Sequence, residues 1–559
     1  MIRDRVQNLI KKLVSKKIDF SVIYPPKKEY GDYSVFFPQK QAENLKQKIE
    51  KEKPDFLEKV ELAPPARLNN KRLTKYRFLN FYLKKEFLQK QVGEILKKGK
   101  DFGEVNVGKR KKTNIEFISA NPTGELHIGN GRGAFFGDVL ANILEKANFN
   151  VEREYYINNA KNSAQIKELG KTCLDRGTGY KTPFLDKLII KIKEMPQFKK
   201  IEKEVDDSCN DDSVVIENEG ISMVGSYPNE ELESKTGYFV AKEIFKNIKI
   251  FIEKKLKIRF DNWFEEEKLF EENKINETLS ILQKTGLTYK KDGALWLKTS
   301  KFGDSKDEVI IRKTGEPTYF LADIAYHKGK VKRGYRKIID IWGADHQGHI
   351  KRMEAAMEII GYKGEFDVLI SQIVRLKSGK KLSKRKGDII KLEDLIDEVG
   401  LDVARFFYLS KSLSTQMEFD LDLAKEQSEK NPVYYIQYAY ARIHSILAKI
   451  PNRKSQDPNK SQIPISKLKL LNHSSELNLI RELIKFPEII EDTVKDYQLQ
   501  RLPEYGKNLA TAFHQFYRDC RVLSENKNLA EARLALILST KIVLSTLLSL
   551  IGISAPERM

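Results

Sequence analysis

Apolar residues recur at helical spacing from Ile2 to Val14, at Val6, Ile10 and Leu13, so the chain opens with an amphipathic helix. Phe20 to Pro25 reads as a strand, Glu29 to Ser34 as a turn, and Lys40 to Lys53 as a second helix. Alternation returns at Lys59–Leu62 and Arg77–Leu83. A basic linker, Gly108 to Thr113, leads into a short apolar run, Asn114–Ile118, that reads as a strand. Ser119-Ala120-Asn121-Pro122-Thr123-Gly124 is rich in turn formers. His127-Ile128-Gly129-Asn130 then opens a helix carried by Val139, Leu140, Ile143 and Leu144, and Val151–Tyr156 is the next strand. Residues from about 171 to 260 are rich in Lys and Glu and read as an insertion of helices and loops. Gly293–Leu297 and Val309–Ile311 read as strands returning to the same sheet. On a following helix, Tyr319 and Asp323 fall one turn apart on one face. Ile338–Trp342 is a further strand signal, Val368–Leu376 precedes a basic loop at Lys377–Asp388, and beyond that loop the pattern is helical to the end, apart from the polar linker Pro451–Pro464.

Strand, glycine-bearing turn, helix and strand at this spacing make the first βαβ unit of a Rossmann-type sheet. The fold class is therefore α/β: a Rossmann-type parallel-sheet catalytic domain at 101–425, an N-terminal α+β domain at 1–100 and a C-terminal all-α helical bundle at 426–559. A helix start after such a turn offers free N–H groups and a positive dipole end to an anion. The plainer alternative is an ordinary βα turn whose glycines serve geometry alone.

Composition narrows the partners. The chain has 559 residues, 40% of them hydrophobic, with a formal charge of +21 and a pI near 9.3. That balance favours a polyanion, nucleic acid first, although a lysine-rich proteome produces the same charge. The cysteines, Cys173, Cys209 and Cys520, form no CxxC pair. No disulfide framework and no protein-bound zinc is expected, and a reducing cytoplasm fits. Asp206, Asp207, Asp211 and Asp212 lack the spacing of a metal site and read as a solvated loop, so no protein metal ligands are expected. Leu534–Ile551 is near membrane-span length, but Lys541 and several hydroxyl residues inside it argue for a buried bundle helix, so no membrane partner is expected.

His127-Ile128-Gly129-Asn130 resembles the HIGH signature of class I aminoacyl-tRNA synthetases, and Lys381-Leu382-Ser383-Lys384-Arg385 resembles their KMSKS loop. Each alone is weak, but in this order and this far apart they are specific. The flanking residues are similar to arginyl-tRNA synthetases in particular: Asn431-Pro432-Val433-Tyr434-Tyr435-Ile436-Gln437-Tyr438-Ala439-Tyr440-Ala441-Arg442 resembles the opening of their anticodon-binding domain. Phe513–Val522 and the terminal Ala555–Met559 fit the same family, so the resemblance spans nearly the whole chain and is weakest at 171–260.

The resemblance implies an ATP-dependent ligase with L-arginine, ATP and tRNA(Arg) as partners, Mg2+ arriving with ATP, and a cytoplasmic monomer. It makes His127, Asn130, Lys381 and Lys384 catalytic, and places Gly129, Gly343, Asp345, His349 and Ser383 at ATP. Glu116, Asn121, Tyr319, Asp323 and His346 match arginine-pocket positions, and Phe78 and Asn80 match residues that contact the tRNA elbow. The chemistry agrees with the residue types. Carboxylate attack on an α-phosphorus needs no protein nucleophile, only donors and cations that position phosphates and spread charge. Arginine selection needs acceptors matched to a planar fork of N–H donors. Asn130 stands where the signature often has His, and Leu382 and Arg385 replace Met and Ser in the loop. Alternatives remain at this level: Glu116 and Asp323 as structural ion pairs, His349 as a core histidine, and Phe78 and Phe81 as core with Asn80 capping a strand end. For the whole chain they are another class I synthetase or a catalytically silent tRNA-binding paralogue.

Overall fold

In the computed structural model, which describes residues 1–14, 18–64, 67–68, 71–72, 76–201, 203, 227–377, 390–449 and 463–559, the chain forms two units. One combines residues 1–107 with 426–559, and the other is 108–425.

The first unit begins with the helix Ile2–Leu13. Strands β1 (Val22–Ile23), β2 (Tyr33–Pro38), β3 (Leu57–Leu62), β4 (Arg67–Leu68), β5 (Lys71–Arg72) and β6 (Tyr76–Leu83) follow, with the helix Gln39–Glu52 between β2 and β3. The main sheet runs β1-β2-β6-β3 and is antiparallel throughout. The period of two divides β2 and β6: Tyr33, Val35, Phe37, Leu79, Phe81 and Leu83 are buried as core, while Phe36 and Tyr76 stay 42% exposed on the other face. The turn expected at Glu29–Ser34 shrinks to a 3-10 turn at Lys28–Tyr30, and β2, which the sequence reading lacked, begins at Tyr33.

The C-terminal helices pack against this segment. Arg3 donates to both oxygens of Asp492 at 2.5 and 2.8 Å and stands 3.4 Å from Glu488, which also accepts from Tyr33 at 3.0 Å. The amide of Gln89 donates to the carbonyls of Lys469 and Leu471 at 3.1 and 2.9 Å. Among the described residues, the helix Lys527–Leu550 is long and apolar enough to cross a membrane. Here its Leu536, Val543, Leu544 and Leu547 are buried, and Ser539 donates to the Val92 carbonyl at 3.3 Å.

The second unit is built on β7 (Lys112–Glu116), β8 (Asn150–Ile157), β9 (Asn262–Glu265), β10 (Thr288–Lys291), β11 (Ala294–Leu297), β12 (Glu308–Ile311), β13 (Lys337–Gly343), β14 (Glu365–Ser371), β15 (Val374–Leu376) and β16 (Met417–Phe419). Five strands form a parallel sheet ordered β14-β13-β7-β8-β9. In chain order that is the doubly wound pattern 3-2-1-4-5. Its direction of winding reverses between β7 and β13, and ligands of such sheets bind at the carboxyl ends of the strands beside that reversal.

One expectation is corrected. The strands at 294–297 and 308–311 do not rejoin the parallel sheet; they form a separate antiparallel sheet, β10-β11-β12. The reason is local. Asp292 and Gly293 both adopt positive φ, 52° and 74°, and close a two-residue hairpin between Lys291 and Ala294. Asp-Gly is a favoured pair for that turn, so β11 finds its partner beside it before the distant sheet can compete.

Candidate active site

The residues at the reversal point are set by a strained turn. β7 ends at Glu116, and Ile118 and Ser119 then take positive φ, 67° and 38°. A β-branched residue in the left-handed region is costly and persists where surroundings hold it. Here Ser119 Oγ donates to Glu116 Oε1 at 2.9 Å and accepts the Tyr156 N–H at 3.0 Å, fastening the kink to β7 and β8. The chain emerges at Asn121, which is exposed, and reaches the helix Ile128–Lys146. That helix lies hard on its strand: a Cβ on Gly137 would stand 2.2 Å from the Phe117 ring.

His127 is the N-cap. Its Nδ1 accepts the Gly129 N–H at 3.0 Å, and Asn130 Oδ1 accepts the His127 N–H at 2.9 Å. Nδ1 is therefore unprotonated, leaving Nε2–H as a donor. Desolvation along its inner edge holds the imidazole below its ordinary range, which favours the neutral form. Asn130 keeps its amide N–H groups for a ligand. A Cβ on Gly129 would stand 2.8 Å from His127 Cε1, so this glycine first makes room for the imidazole.

The far side of the site is the helix Tyr319–Lys332, capped by Thr318, whose hydroxyl accepts the Leu321 N–H at 3.4 Å. Tyr319 is 50% exposed, and its hydroxyl accepts the Ala164 N–H at 3.3 Å. Asp323, one turn on, is partly buried, and its carboxylate meets no cation at ion-pair distance among the described residues. Burial pushes its pKa up to about 7; neighbouring Glu116 and Asp340 push the same way, against His327 and Arg352. Glu116 differs: its Oε2 accepts from the buried ammonium of Lys330 at 2.7 Å. The ion-pair alternative thus describes Glu116 and leaves Asp323 unpaired.

Sequence reasoning missed two groups here. Glu266, 4% exposed, has its pKa pushed up to about 7 by burial and, more weakly, by Asp323. The buried Tyr156 hydroxyl faces Glu266, with Asp323 and Glu116 close by. For Glu266 the signal lay in Trp263-Phe264-Glu265-Glu266-Glu267, an acidic run directly after an aromatic strand just beyond the segment read as an insertion; Tyr156 ends the expected strand Val151–Tyr156 and carries no such signal.

Beyond β13 the chain makes a 3-10 turn, Ala344–His349. Asp345, His346 and His349 are all exposed there, so the core-histidine alternative does not describe His349. His346 Nε2 stands 3.3 Å from Asp345 Oδ2, and a Cβ on Gly343 would stand 2.5 Å from Asp345 Oδ1. Lys381, Ser383 and Lys384 lie outside the described residues. Their C-terminal flank is fixed beside the signature helix: the Ile390 carbonyl accepts the Ile128 N–H at 3.0 Å, and the Leu392 N–H donates to Leu126 at 2.9 Å. Among the described residues, no group of three or more His, Cys, Asp or Glu is placed to hold a metal ion; Asp206, Asp207, Asp211 and Asp212 fall outside them.

Two faces of the other unit suit unpaired nucleotides, whose bases stack on aromatic rings and guanidinium planes. On the sheet, Phe36 stacks on Tyr76 at 5.1 Å and meets Phe78 at 4.8 Å. Phe78 therefore sits on the outer face, whereas Phe81 is core. Asn80 is 3% exposed, and its Oδ1 accepts from Ser34 at 2.5 Å, mid-strand rather than at a strand end. On the helix Pro432–Ala448, Tyr434 stacks on Tyr438 at 6.4 Å, and Tyr438 on His514 at 5.8 Å. Arg442 lies over both Tyr438 and Tyr517, 4.9 Å from each ring. The repeated tyrosines and an arginine four residues on were visible in the sequence but were not assigned a role.

With this geometry in hand, residues 91–411 match the family model of the class I tRNA synthetase (R) catalytic domain. The chain belongs to the arginyl-tRNA synthetase family. Residues 436–559 match the DALR anticodon-binding domain. The arginine–tRNA ligase of Carboxydothermus hydrogenoformans is 41% identical over 510 residues, covering 90% of this chain and 86% of that protein. That of Caldanaerobacter subterraneus subsp. tengcongensis is 39% identical over 559 residues, covering 97% and 94%. The solved arginyl-tRNA synthetase of Thermus thermophilus superposes with a TM-score of 0.73 at 20% identity over the full length of both chains, a likeness of fold. The parallel sheet lies within the catalytic-domain match, and the helices carrying Tyr438, Arg442 and Tyr517 lie within the anticodon-binding-domain match.

Proposed function

We propose that the carboxyl edge of the parallel sheet activates L-arginine with ATP and passes it to the terminal ribose 2′-hydroxyl of tRNA(Arg). The protein is an ATP-dependent arginine–tRNA ligase. In the first step the arginine carboxylate forms a bond to the α-phosphorus and pyrophosphate leaves with the broken P–O bond. In the second, the ribose oxygen takes the arginyl group and AMP leaves. The observation that carries the reading is Asp323: a carboxylate without a cation, beside the winding reversal, with its pKa pushed up to about 7. A guanidinium supplies the missing charge and a matched fork of donors.

The proposed roles combine the positions of the described residues with the family resemblance, which alone supplies those of Lys381, Ser383 and Lys384. Asp323 receives the guanidinium, with Tyr319 and His346 at the rim, Glu116 beside it, and Glu266 as a second buried acceptor. Asn121 holds the α-amino end. The His127 Nε2–H and the Asn130 amide donate to phosphate or ribose oxygens, Lys381 and Lys384 follow the outer phosphates, and Gly129, Gly343, Asp345, His349 and Ser383 line the adenosine and its phosphates. Mg2+ comes with ATP, held by phosphates and water. Phe78 and Asn80, on one face of β6, meet the tRNA elbow. The domains are 1–100, 101–425 and 426–559, and the enzyme acts as a cytoplasmic monomer. Arginine-dependent ATP–pyrophosphate exchange in the presence of tRNA tests the assignment: Asp323→Asn should lose exchange while still binding tRNA, and retained exchange would overturn it.

A further inference from the structure

Lys330 has no exposed side-chain surface. Its Nζ lies 2.7 Å from Glu116 Oε2, 2.8 Å from Asp340 Oδ1 and 4.5 Å from the centre of the Tyr326 ring. The chain of contacts continues on both sides. Asp340 Oδ2 meets His327 Nε2 at 2.7 Å, and His327 Nδ1 meets the main-chain carbonyl of Asp323 at 2.7 Å. On the other side Glu116 Oε1 accepts from Ser119 in the strained turn. One ammonium therefore ties β7, β13 and the helix Tyr319–Lys332 beneath the arginine end of the site.

A buried ion pair is a poor way to gain stability, because desolvation offsets the attraction and apolar packing often does as well. The charge must be read against the groups around it. Facing Lys330 are Glu116 on β7, Glu154 on β8, Asp340 on β13, and His327 and Tyr326 on its own helix. Glu154 is itself paired with Arg333 and Tyr326, at 2.8 and 2.5 Å. Burial works against the ammonium, but these carboxylates hold it above the ordinary lysine range. Asp323, two turns up the helix from Lys330, has no ion-pair partner among the described residues. The two carboxylates proposed for arginine thus differ in kind.

We infer that Lys330 is a positioning residue for arginine binding: it holds Glu116 by one carboxylate oxygen and, through Asp340 and His327, steadies the turn that carries Asp323, so the substrate meets one carboxylate already paired and one left free for its guanidinium. This rests on the arginine-pocket reading above. Among the described residues no hydrogen bond or ion pair joins Lys330 to the exposed turn at Asp345–His349, so its effect falls on arginine and spares ATP.

The test compares Lys330→Met with the charge-balanced Lys330→Met/Asp340→Asn in the full-length enzyme, using tRNA-supported pyrophosphate exchange over about pH 6 to 9. Lys330→Met should raise the arginine KM at least tenfold with the ATP KM changed less than twofold. Its acidic limb should move up in pH, because the buried Asp340 carboxylate then loses the cation that holds its pKa down. The double variant restores the charge balance and keeps the experiment decisive if the single variant folds poorly. A merely structural lysine predicts that the double variant returns to the wild-type arginine KM; a positioning lysine predicts that it stays at least tenfold high. An arginine KM within twofold of wild type in the double variant, with Asp323→Asn inactive, overturns this inference alone. An unchanged arginine KM in Asp323→Asn overturns the pocket reading and this inference with it.

Discussion

The imidazole of His127 occupies the space a side chain at position 129 would need: a Cβ on Gly129 would lie 2.8 Å from its Cε1 and 2.9 Å from its Nδ1. The signature glycine and histidine are therefore one geometric unit, fastened by the Gly129 N–H to Nδ1 bond. Gly129→Ala should displace the ring and its Nε2 donor while leaving the helix intact. Steady-state exchange should show kcat down roughly 10- to 100-fold, the order expected for misplacing a positioned group by about 1 Å, with the arginine KM little changed.

Asp323 carries a cost that the proposed arginine-binding role explains. Its pKa of about 7 lies well above the 3.8 ordinary for an aspartate in the unfolded chain. A raised folded pKa means that this carboxyl's contribution to stability is full below about 3.8 and is lost as pH rises towards 7. Asp323→Asn should therefore stabilise the ligand-free protein, by an amount that grows from pH 4 to 7 and is then flat, at most on the order of 4 kcal/mol for a shift from 3.8 to about 7. Urea unfolding at pH 4.5 and 8 checks this; arginine should protect the wild type and fail to protect the variant.

The same carboxyl sets the pH dependence of substrate capture. Binding a guanidinium needs the ionised form, so the arginine KM should be flat above about pH 7 and rise up to roughly tenfold per unit below it. A pH series of arginine KM values, with the ATP KM followed in parallel, reads this directly.

Much of this arrangement was legible in the chain. The expected strand at 114–118 and helix from 128 correspond to β7 and Ile128–Lys146, and the strand at 338–342 to β13, because long apolar periods bounded by glycine and proline leave little choice. Three things were not legible. β2 lay inside what read as a turn, since Glu29-Tyr30-Gly31-Asp32 hides the start of its alternation. The strands at 294–297 and 308–311 were assigned to the wrong sheet because strand signals carry no partner, and the Asp292-Gly293 turn decided it. Lys330 carries no signal of its own in the sequence, because burial of a charge depends on carboxylates distant along the chain or on another strand, Glu116 and Asp340.

In the first unit, Arg3 neutralises Glu488, whose pKa burial pushes up. Arg3→Ala leaves that carboxylate uncompensated and should destabilise the unit by about 3 kcal/mol at pH 8, the lower end for removing one partner of a buried pair. The loss should shrink as pH falls, because a protonated Glu488 needs no cation. Unfolding midpoints at pH 5 and 8 distinguish this from a packing defect, which would be independent of pH.

The ladder of Tyr438, Arg442 and Tyr517 should behave as a stacking platform. Tyr438→Ala and Tyr517→Ala should each weaken tRNA binding about tenfold, the worth of one base–aromatic stack, without altering the thermal midpoint by more than a few degrees. Filter binding at two salt concentrations separates this from a charge effect, since loss of a tyrosine should leave the salt slope unchanged.

The most direct test of the account is arginine-dependent ATP–pyrophosphate exchange in the presence of cognate tRNA, run on the wild type and Asp323→Asn with lysine and citrulline beside arginine. The account predicts exchange with arginine alone, lost in Asp323→Asn at undiminished tRNA affinity. Exchange with citrulline at the arginine rate, or a wild-type arginine KM in Asp323→Asn, would contradict it.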